Sequence, residues 1–497
     1  MSASSRTQDA TVAAVPDGSK AGPTVLEALR MALAAQDAGD AARAEMLCRA
    51  VLAVAPRRPD ALTLLGSLRA RAGHPEEAVA LHRAAIAAAP DYPDAHHNLG
   101  NMFFAEGDTQ GALDCYLRAS ALRPDWPEGC NRVAATLHAL GRFDEAEAWF
   151  QRALALRPES ADFRWDRALA LLAAGRYAEG WCGFEARRLR GQPPPRDLPV
   201  PYWDGSPIDG RRMLVYSEQG HGDAIQFLRF LEPLRRHGAR STLELDASLV
   251  PLVDPRTWGL EAVVPSGGSP RGYDVHVSLL SLPLLLEIGA RELMGDRAYL
   301  SAPPLRTEAW RRRLPAHGLR VGLAWSGNPD VQRDRWRSPR LAPLLPILDV
   351  PGVRFFGLQK GDGERDAVGL ARANFMPLGK DICDFADTAA IMTCLDLVVT
   401  SDTSVAHLAG ALGKPTWVLL HATPDWRWGH AGVTTPWYAT MRLYRQDRLG
   451  DWSTPVGAIV HDLSMLAGRR GDGADRQASA TGRPGERAFP ALPHQAT

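Results

Sequence analysis

A period of 34 residues runs through the first third of this chain and constrains its fold more than any other feature. Prolines recur in this period at Pro56, Pro90, Pro124 and Pro158, and glycines at Gly39, Gly73, Gly107, Gly141 and Gly175. An alanine follows four of these glycines by five positions, at Ala44, Ala78, Ala112 and Ala146. We predict pairs of short antiparallel helices that turn at the glycine, approach closely at the alanine and end at the proline. Stacked pairs of this kind form a solenoid.

The period, turn glycine, small packing residue and closing proline resemble the tetratricopeptide repeat. The resemblance covers residues 24–190, where it predicts an α-solenoid. In the last unit Gly180 replaces the alanine and the proline is absent, so we expect the final helix to pack on the domain after it. The resemblance implies a groove for a peptide or protein partner, with a spacer or dimerisation arm as the alternative. Asn98 matches the asparagine ladder of some repeat-bearing transferases, whereas the equivalent positions hold Leu64, Arg132 and Asp166.

Composition argues against several classes of function. Lys plus Arg and Asp plus Glu both total 57, so zero formal net charge offers no footprint for nucleic acid. The six cysteines are far apart, which favours reduced thiols over disulfides or a zinc site. The apolar stretch 277–290 is too short to span a bilayer, and the first residues lack a signal-peptide pattern. We therefore predict a cytoplasmic chain with no transmembrane segment.

Biased segments divide the rest of the chain. Residues 1–23 are predicted to be a disordered leader, and residues 468–497, rich in Gly, Arg, Ala and Pro, a disordered tail. Residues 191–207, GQPPPRDLPVPYWDGSP, are predicted to be a linker because of their proline density. Between linker and tail we predict two α/β halves, 208–316 and 317–467.

Strands alternating with helices predict a sheet in each half. In the first half, RMLVYS is predicted to be a strand, EQGHGD a glycine-rich turn and AIQFLRFLEPLRRHG a helix. Further short strands are predicted at 241–245, 261–264 and 274–277. A connecting helix is predicted around Arg312, at the end of the first half. In the second half, strands are predicted at 319–326, 353–358, 395–399 and 416–420.

The segment LDLVVTSDTSVAHLAGALGKPTWVLL, residues 395–420, holds the strongest local signal for a ligand. LDLVV is typical of a parallel strand that is buried on both faces. We predict that Asp402 caps the following helix, whose N-terminus, with the Thr403 and Ser404 hydroxyls beside it, binds a diphosphate. The alternative is a capped helix against which His407 simply packs.

A second resemblance rests on an ordered set of motifs: EQGHGD, GLAWSGNP with RDRWRS, FFGLQKG, TSDTSVAHLAGALGKP, DWRW, PWY and RLYRQ. Over residues 161–466 these resemble bacterial tetratricopeptide proteins with a glycosyltransferase family 9, or heptosyltransferase-like, domain. They are distantly similar to O-linked N-acetylglucosamine transferase. The resemblance implies the GT-B fold, two Rossmann-like domains facing a cleft, and sugar transfer from a nucleoside-diphosphate sugar. It implies inversion, and neither a metal nor another cofactor.

The resemblance also assigns roles to residues on the acceptor side. Asp223, in the turn formed with Gly220, His221 and Gly222, matches the proposed general base of heptosyltransferases. A carboxylate there would take the proton of the acceptor hydroxyl, and helix capping is the alternative role. His221 stands where the family usually has an aliphatic residue. After DWRW, the segment GHAGVT at 429–434 replaces the family's acidic segment.

On the donor side, basic residues are expected to stabilise the leaving diphosphate. Arg335, Arg337 and Lys360 are the candidates, because arginine forms bidentate bonds to phosphate and lysine supplies a point charge. The resemblance places the donor against Asp402, Thr403, Ser404 and His407.

Three functions remain open from the sequence. The first is a glycosyltransferase with a nucleotide-sugar donor and an acceptor, a protein or a cell-surface glycan precursor, that the repeats help to recruit. The second is an inactive scaffold that retains nucleotide or protein binding. The third is a GT-B epimerase, which needs the nucleotide-sugar and no acceptor.

Overall fold

A computed structural model describes residues 23–191, 196–208, 210–268, 271–293, 298–329 and 334–478. Most of the predicted leader, residues 1–22, lies outside this range, as do residues 192–195 of the predicted linker and 479–497 of the predicted tail. By its contacts the chain divides into two units. The first consists of Met1–Arg297 with His421–Ala439, and the second of Ala298–Leu420 with Thr440–Thr497.

The first unit begins with antiparallel helix pairs, as the repeat pattern predicts. The helices are α1 Val25–Asp37, α2 Ala41–Val54, α3 Pro59–Arg71, α4 Pro75–Ala88, α5 Pro93–Glu106, α6 Thr109–Leu122, α7 Pro127–Ala139, α8 Phe143–Leu156, α9 Ala161–Ala173 and α10 Tyr177–Phe184. The turn glycines adopt left-handed backbone, for example Gly107 at φ +84°. Ala44, Ala78 and Ala112 are fully buried. At the equivalent position in α10, a Cβ on Gly180 would lie 2.6 Å from Leu172 Cδ2, which explains the glycine.

In each of the later repeats an ion pair joins the start of the helix pair to its end. The acid in the first turn of one helix pair meets an arginine that follows the pair: Asp94 with Arg123 at 3.0 Å, Glu128 with Arg157 at 2.6 Å and Asp162 with Arg190 at 2.6 Å. We call these the intra-repeat ion pairs. Their side chains are largely exposed, so each contributes at most about 1 kcal/mol. They connect the two helices of a repeat but are not its main stabilisation.

The final helix of the solenoid packs on the segments C-terminal to it, as expected. The Trp181 indole of α10 donates to the Ile288 carbonyl at 3.1 Å. Its ring meets Phe227, Trp426 and Trp437 edge to face, with centroids 5.6 to 6.3 Å apart. This aromatic cluster joins the end of the solenoid to the first sheet and to residues 421–439 within one unit.

The second part of the predicted linker is built into the first sheet. Tyr202 forms a parallel bridge with His276, and the Trp203 amide donates to the His276 carbonyl at 2.8 Å. Trp203 and Ile208 are almost fully buried. This stretch therefore covers an edge of the sheet and does not act as a free tether.

The first sheet is parallel and has the order β3-β2-β1-β4. Its elements are β1 Arg212–Tyr216, α11 His221–Phe227, α12 Leu231–Arg236, β2 Arg240–Leu245, α13 Pro255–Trp258, β3 Ala262–Pro265, β4 Val275–Ser278, α14 Leu282–Leu285 and α15 Ala290–Leu293. All four predicted strands are confirmed. The predicted helix after EQGHGD is split by a 3₁₀ turn at Leu228–Phe230. Pro233 accounts for the break, because its ring clashes with the carbonyl four residues earlier.

The second unit contains a six-stranded parallel sheet with the order β10-β9-β8-β5-β6-β7. Its elements are α16 Pro304–Arg313, β5 Leu319–Ala324, α17 Asp334–Arg337, α18 Leu345–Leu348, β6 Val353–Gly357, β7 Phe375–Pro377, α19 Phe385–Thr393, β8 Leu397–Ser401, α20 Ser404–Ala411, β9 Thr416–Leu420, β10 Met441–Arg445 and α21 Ser453–Ala478. The predicted strands are confirmed, while β7 and β10 are additional. The α21 helix extends beyond residue 468, where a disordered tail is predicted to begin.

Short 3₁₀ turns connect these elements. They lie at Glu185–Leu189, Leu228–Phe230, Val250–Leu252, Leu279–Ser281, Ala342–Leu344, Gly361–Ala367, Gly379–Asp381 and Trp426–Trp428. The core of the second unit lies between its sheet and α21, where Val399 and Leu419 are fully buried beside Ile459 and Leu463. None of the described helices is both long enough and apolar enough to cross a membrane.

Candidate functional site

The strand order of the second sheet locates a ligand-binding edge. The chain builds β5, β6 and β7 in one direction and then returns to place β8 on the other side of β5. This is the order of a Rossmann-like sheet, in which ligands bind at the carboxyl ends of the strands where the direction reverses. The reversal here lies between β5 and β8.

The predicted anion-binding turn lies at this reversal. Strand β8 ends at Ser401 and α20 begins at Ser404, so Thr403 is the N-cap residue, with an extended φ of −144°. The prediction that Asp402 caps the helix is therefore wrong, because the extended backbone continues one residue further than the sequence indicates. The Thr403 side chain makes no capping hydrogen bond to the first amide groups of α20.

Buried polar groups concentrate at the same edge. His407 is buried one turn into α20. Ser401 Oγ, at the end of β8, and Ser326 Oγ, after β5, are buried without a hydrogen-bond partner among the described residues. Unsatisfied buried hydroxyls are costly, and native structures keep few of them. Their occurrence on two neighbouring strand ends supports a functional edge.

Gln359 fixes the loop that follows β5. Its side-chain oxygen accepts from the Trp325 and Ser326 amides at 3.0 and 2.9 Å, and its amide donates to the Ser326 carbonyl at 3.0 Å. Because Gln359 follows β6, these bonds hold the carboxyl ends of β5 and β6 together. Sequence reasoning did not single out this residue, although the motif FFGLQKG contains it.

The predicted phosphate ligands occupy different parts of this edge. Arg337 of α17 pairs with the buried Asp334 at 3.3 Å, and an ideal Cβ on Gly327 would lie 2.6 Å from the Arg337 Nη2 atom. Arg337 is therefore held at the end of β5. The exposed Lys360 follows β6, and its Nζ donates to the Gly379 carbonyl at 3.2 Å. The side chain of Arg335 lies outside the described part of the structure.

In the first unit, Asp223 occupies the third position of α11. Its Oδ2 accepts from the Gly220 amide at 3.0 Å, so it makes the capping contact that was the alternative prediction. Its Oδ1 forms an ion pair with Arg427, which lies 204 residues later in the chain. Both carboxylate oxygens are thus engaged.

Arg427 is a residue that sequence reasoning missed. It is buried and also bonds to Gln226 and to Asp425, the latter at 2.8 Å. The motif DWRW contains it, between two tryptophans. Arg427 ties residues 421–439 to α11, so the predicted base is part of a link between distant segments.

In the same turn, Gly220 and His221 are exposed and Gly222 is partly buried. His221 lies on the surface, with its Nε2 3.3 Å from Asp246 Oδ1. Gln219 adopts φ +65°, a left-handed conformation that is uncommon for a residue with a side chain. Such strain often marks a functional turn.

A second buried network lies at the carboxyl ends of β1 and β4. Arg187, from the 3₁₀ turn after α10, donates to Glu218 Oε1 at 2.7 Å and to Ser281 Oγ at 2.6 Å, and it pairs with Glu185. Ser278 Oγ also donates to Glu218 Oε1, at 2.6 Å. Burial alone would lower the pKa of the Arg187 guanidinium, but the two carboxylates outweigh it and raise that pKa. No local sequence pattern indicates this pairing.

The described residues contain neither a metal-ligand cluster nor a disulfide. No group of three or more His, Cys, Asp or Glu side chains there has the geometry to hold a metal ion. The six cysteines lie within the described residues as free thiols.

Comparisons with known protein families agree with the two-part architecture. Residues 59–102 and 91–159 match models described as tetratricopeptide repeat. Residues 351–447, which contain β8 and α20, match glycosyltransferase family 9 (heptosyltransferase). The chain therefore combines tetratricopeptide repeats with a glycosyltransferase family 9 domain.

Individual relatives share parts of this chain. Protein FlbA of Caulobacter vibrioides (strain ATCC 19089 / CIP 103742 / CB 15) is 28% identical over 319 residues, which are 58% of this chain and 52% of the relative. The chain thus spans about half the length of that curated relative. MamA, in a crystal structure, is 20% identical with a TM-score of 0.29, and the match covers 33% of this chain and 95% of the MamA chain. A thermophilic repeat protein of Thermus thermophilus is 23% identical with a TM-score of 0.30, and the match covers 34% of this chain and 92% of the other chain.

Proposed function

We propose that this chain is a glycosyltransferase that moves a sugar from a nucleoside-diphosphate sugar to a hydroxyl acceptor. Transfer proceeds with inversion and without a metal or other cofactor. The acceptor is a protein or a cell-surface glycan precursor, which the repeat solenoid helps to recruit.

One observation carries this proposal. At the reversal between β5 and β8, the N-terminus of α20 with the Thr403 and Ser404 hydroxyls follows β8, and the Arg337 guanidinium follows the neighbouring β5. Amide groups at a helix N-terminus and a guanidinium stabilise the charge that develops on a leaving diphosphate. The edge also lies partly within the segment that matches glycosyltransferase family 9.

The proton of the attacking hydroxyl needs a carboxylate on the acceptor side. The resemblance assigns this role to Asp223, and that assignment remains a prediction. The engagement of both Asp223 oxygens favours the second candidate function, an inactive scaffold that retains nucleotide binding.

A thermal-shift panel of nucleoside diphosphates and their sugars tests the proposal, because a ligand that binds the folded chain raises its Tm. We expect at least one nucleoside-diphosphate sugar to stabilise the full chain and to release nucleoside diphosphate on incubation. Binding without release would favour the scaffold. Conversion of the sugar with no acceptor present and no release of nucleotide would indicate an epimerase.

Arg337→Ala and Lys360→Ala should each weaken binding of the stabilising nucleotide by about 1 to 3 kcal/mol, the scale of a hydrogen bond to a charged group. Isothermal titration calorimetry measures the change. Arg354→Ala is the matched control, because Arg354 lies near the amino end of β6 and pairs with Arg320 in register, away from the carboxyl edge. Unchanged affinity in both variants, with the fold intact, would remove these residues from the site.

A further inference from the structure

The motif RLYRQ ends in a buried glutamine, Gln446, at the carboxyl edge of the second sheet. Strand β10 ends at Arg445, and the Gln446 main-chain amide donates to the Leu420 carbonyl at 2.9 Å. Gln446 therefore lies beside the end of β9, on the edge that also carries the N-terminus of α20. The residue is only 5% exposed. A buried polar side chain thus stands where a parallel sheet of this kind binds ligands.

One end of the Gln446 side chain is fixed by the protein, and the other is unpaired. Its Oε1 atom accepts from the Gly450 amide at 3.1 Å. Because a main-chain amide can only donate, it faces the oxygen, and the NH₂ group is the other end. This Nε2 atom is buried and has no hydrogen-bond partner in the described part of the chain. A buried donor without a partner is costly and rare in native structures, which indicates a ligand that accepts from it.

A second unpartnered group lies on the same edge. Ser401 ends β8 and is fully buried, and its hydroxyl has no partner among the residues described. Strand β9 separates β8 from β10, so the ends of these two strands are about 10 Å apart. A nucleotide is long enough to reach from the N-terminus of α20, which follows β8, to Gln446. All of these groups belong to the second unit.

The enclosure of Gln446 suits the nucleobase better than the sugar of a nucleoside-diphosphate sugar. The sugar has to remain accessible to an acceptor, whereas the base takes no part in the reaction and can be enclosed. Glutamine reads adenine with its oxygen and its nitrogen together. Here Gly450 occupies the oxygen, so only a donor remains. A single donor is matched by a ring carbonyl, which uracil and guanine carry and adenine lacks.

We propose that Gln446 selects the base of the donor nucleotide, by donating from Nε2 to a ring carbonyl of the nucleobase. The chain then prefers uridine or guanosine diphosphate to adenosine diphosphate. This inference rests on the proposed binding of a nucleotide-sugar and adds the class of nucleotide to it. Gln446 takes no part in making or breaking bonds and acts as a specificity-determining residue.

Isothermal titration calorimetry of the full chain tests the role of Gln446, with uridine, guanosine and adenosine diphosphates and inorganic diphosphate as probes. We expect the wild type to bind uridine or guanosine diphosphate more tightly than adenosine diphosphate. Gln446→Met keeps the length of the side chain and removes the donor. It should weaken binding of the preferred nucleoside diphosphate about 3-fold to 10-fold, the scale of one neutral hydrogen bond. Binding of inorganic diphosphate, which has no base, should not change.

Two further variants keep the result interpretable. Tyr444→Phe is the matched control, because it removes the hydrogen bond from the Tyr444 hydroxyl to Asp462, at 2.7 Å, within the same strand and before its carboxyl end. Its affinity for every probe should equal that of the wild type. Gln446→Asn withdraws the amide by one methylene and should give the same loss as Gln446→Met. It replaces that variant if thermal unfolding shows that the methionine is not tolerated.

The outcomes separate base selection from sugar transfer. If the folded Gln446 variant binds the preferred nucleoside diphosphate as tightly as the wild type, or if the wild type binds adenosine diphosphate most tightly, the inference is overturned. Equal weakening of nucleoside diphosphate and inorganic diphosphate would also overturn it, because Gln446 would then only support the edge. A wild type that binds uridine or guanosine diphosphate selectively but releases no nucleotide from the nucleotide-sugar overturns the transferase function alone. Absence of binding by every nucleoside diphosphate overturns both.

Discussion

At the scale of single residues, the structure separates two carboxylates that the sequence places in one turn. Asp223 is bound at both oxygens and links α11 to Arg427, whereas Glu218 is bound at one. A local motif reveals that carboxylates are present. It cannot reveal their partners, because Arg427 and Arg187 are distant in sequence and meet them only through the tertiary fold.

Another residue, His82, should make the solenoid sensitive to acid. Its side chain is 1% exposed, and burial lowers its pKa to about 4 from 6.5. Between these values the unfolded chain binds a proton that the folded chain does not, so stability falls as pH decreases through this window. Above pH 6.5 the effect is absent. From pH 7 to pH 5 the loss should be about 2 kcal/mol.

His82→Phe tests this prediction by urea unfolding at pH 5 and pH 7. The position equivalent to His82 in a later repeat already holds a phenylalanine, Phe150. In the repeat between them this position holds Tyr116, whose ring packs on Gly100 just as the His82 ring packs on Gly66. The variant should lose most of the pH dependence that His82 contributes. His74→Gln, at an exposed site, is the control and should retain it. An equal pH dependence in both variants would contradict the prediction.

At the scale of elements, periodic features were predictable and positional details were not. The 34-residue period located the helix pairs of the solenoid because one unit repeats its own signals. The sequence did not indicate β7, because three residues are too few to show an alternating pattern. It did not indicate β10, because arginines interrupt the apolar residues of that strand. The helix α20 was predicted, but its N-cap residue is Thr403 and not the predicted Asp402.

The turn between α7 and α8 has a role beyond reversing the chain. Gly141 has φ +73°, and a Cβ there would clash with the imidazole of His430, which belongs to the GHAGVT segment. Phe143 also meets the His430 ring edge to face, with centroids 6.2 Å apart. The segment that departs from the family pattern therefore docks against the solenoid within the first unit.

Gly141→Ala should thus destabilise the first unit more than Gly175→Ala. Gly175 has φ +77° with nothing within 4 Å of an added Cβ, so it reports backbone strain alone, about 1 to 2 kcal/mol. The clash at Gly141 should add about 1 to 3 kcal/mol. In a double variant that also carries His430→Ala, the additional loss of stability caused by the clash should disappear. Denaturant unfolding measures the free energy of unfolding of each variant. Equal losses for both glycines would mean that His430 simply moves aside.

At the scale of the whole molecule, the end of the solenoid is part of the α/β structure that comes after it. Trp181 belongs to the aromatic cluster, and Arg187 balances Glu218 in a buried network. Removing one partner of such a network leaves a buried charge unpaired, which is strongly destabilising. The repeat array is therefore not a detachable domain at its C-terminal end.

A chain starting at Pro201 should consequently fail to fold its first unit cooperatively. A chain starting at Ala161 should fold it, because that chain retains α9, α10 and the turn at Glu185–Leu189. Circular dichroism during thermal unfolding distinguishes the two. Nucleotide binding should persist in both, since the proposed donor edge lies in the second unit. Cooperative unfolding of the shorter chain at the same temperature would show that the solenoid end is dispensable.

The intra-repeat ion pairs have a consequence for how such a chain changes its length. Asp94 and Arg123, like Glu128 and Arg157, are 29 residues apart, less than one period of 34. Copying or excising a whole period therefore reproduces both halves of every pair and leaves none orphaned. With respect to these ion pairs, one unit can replace another. Two units carry contacts of their own: that of α7 and α8 packs on His430 through Gly141 and Phe143, and the last unit contacts the segments after the solenoid through Trp181 and Arg187.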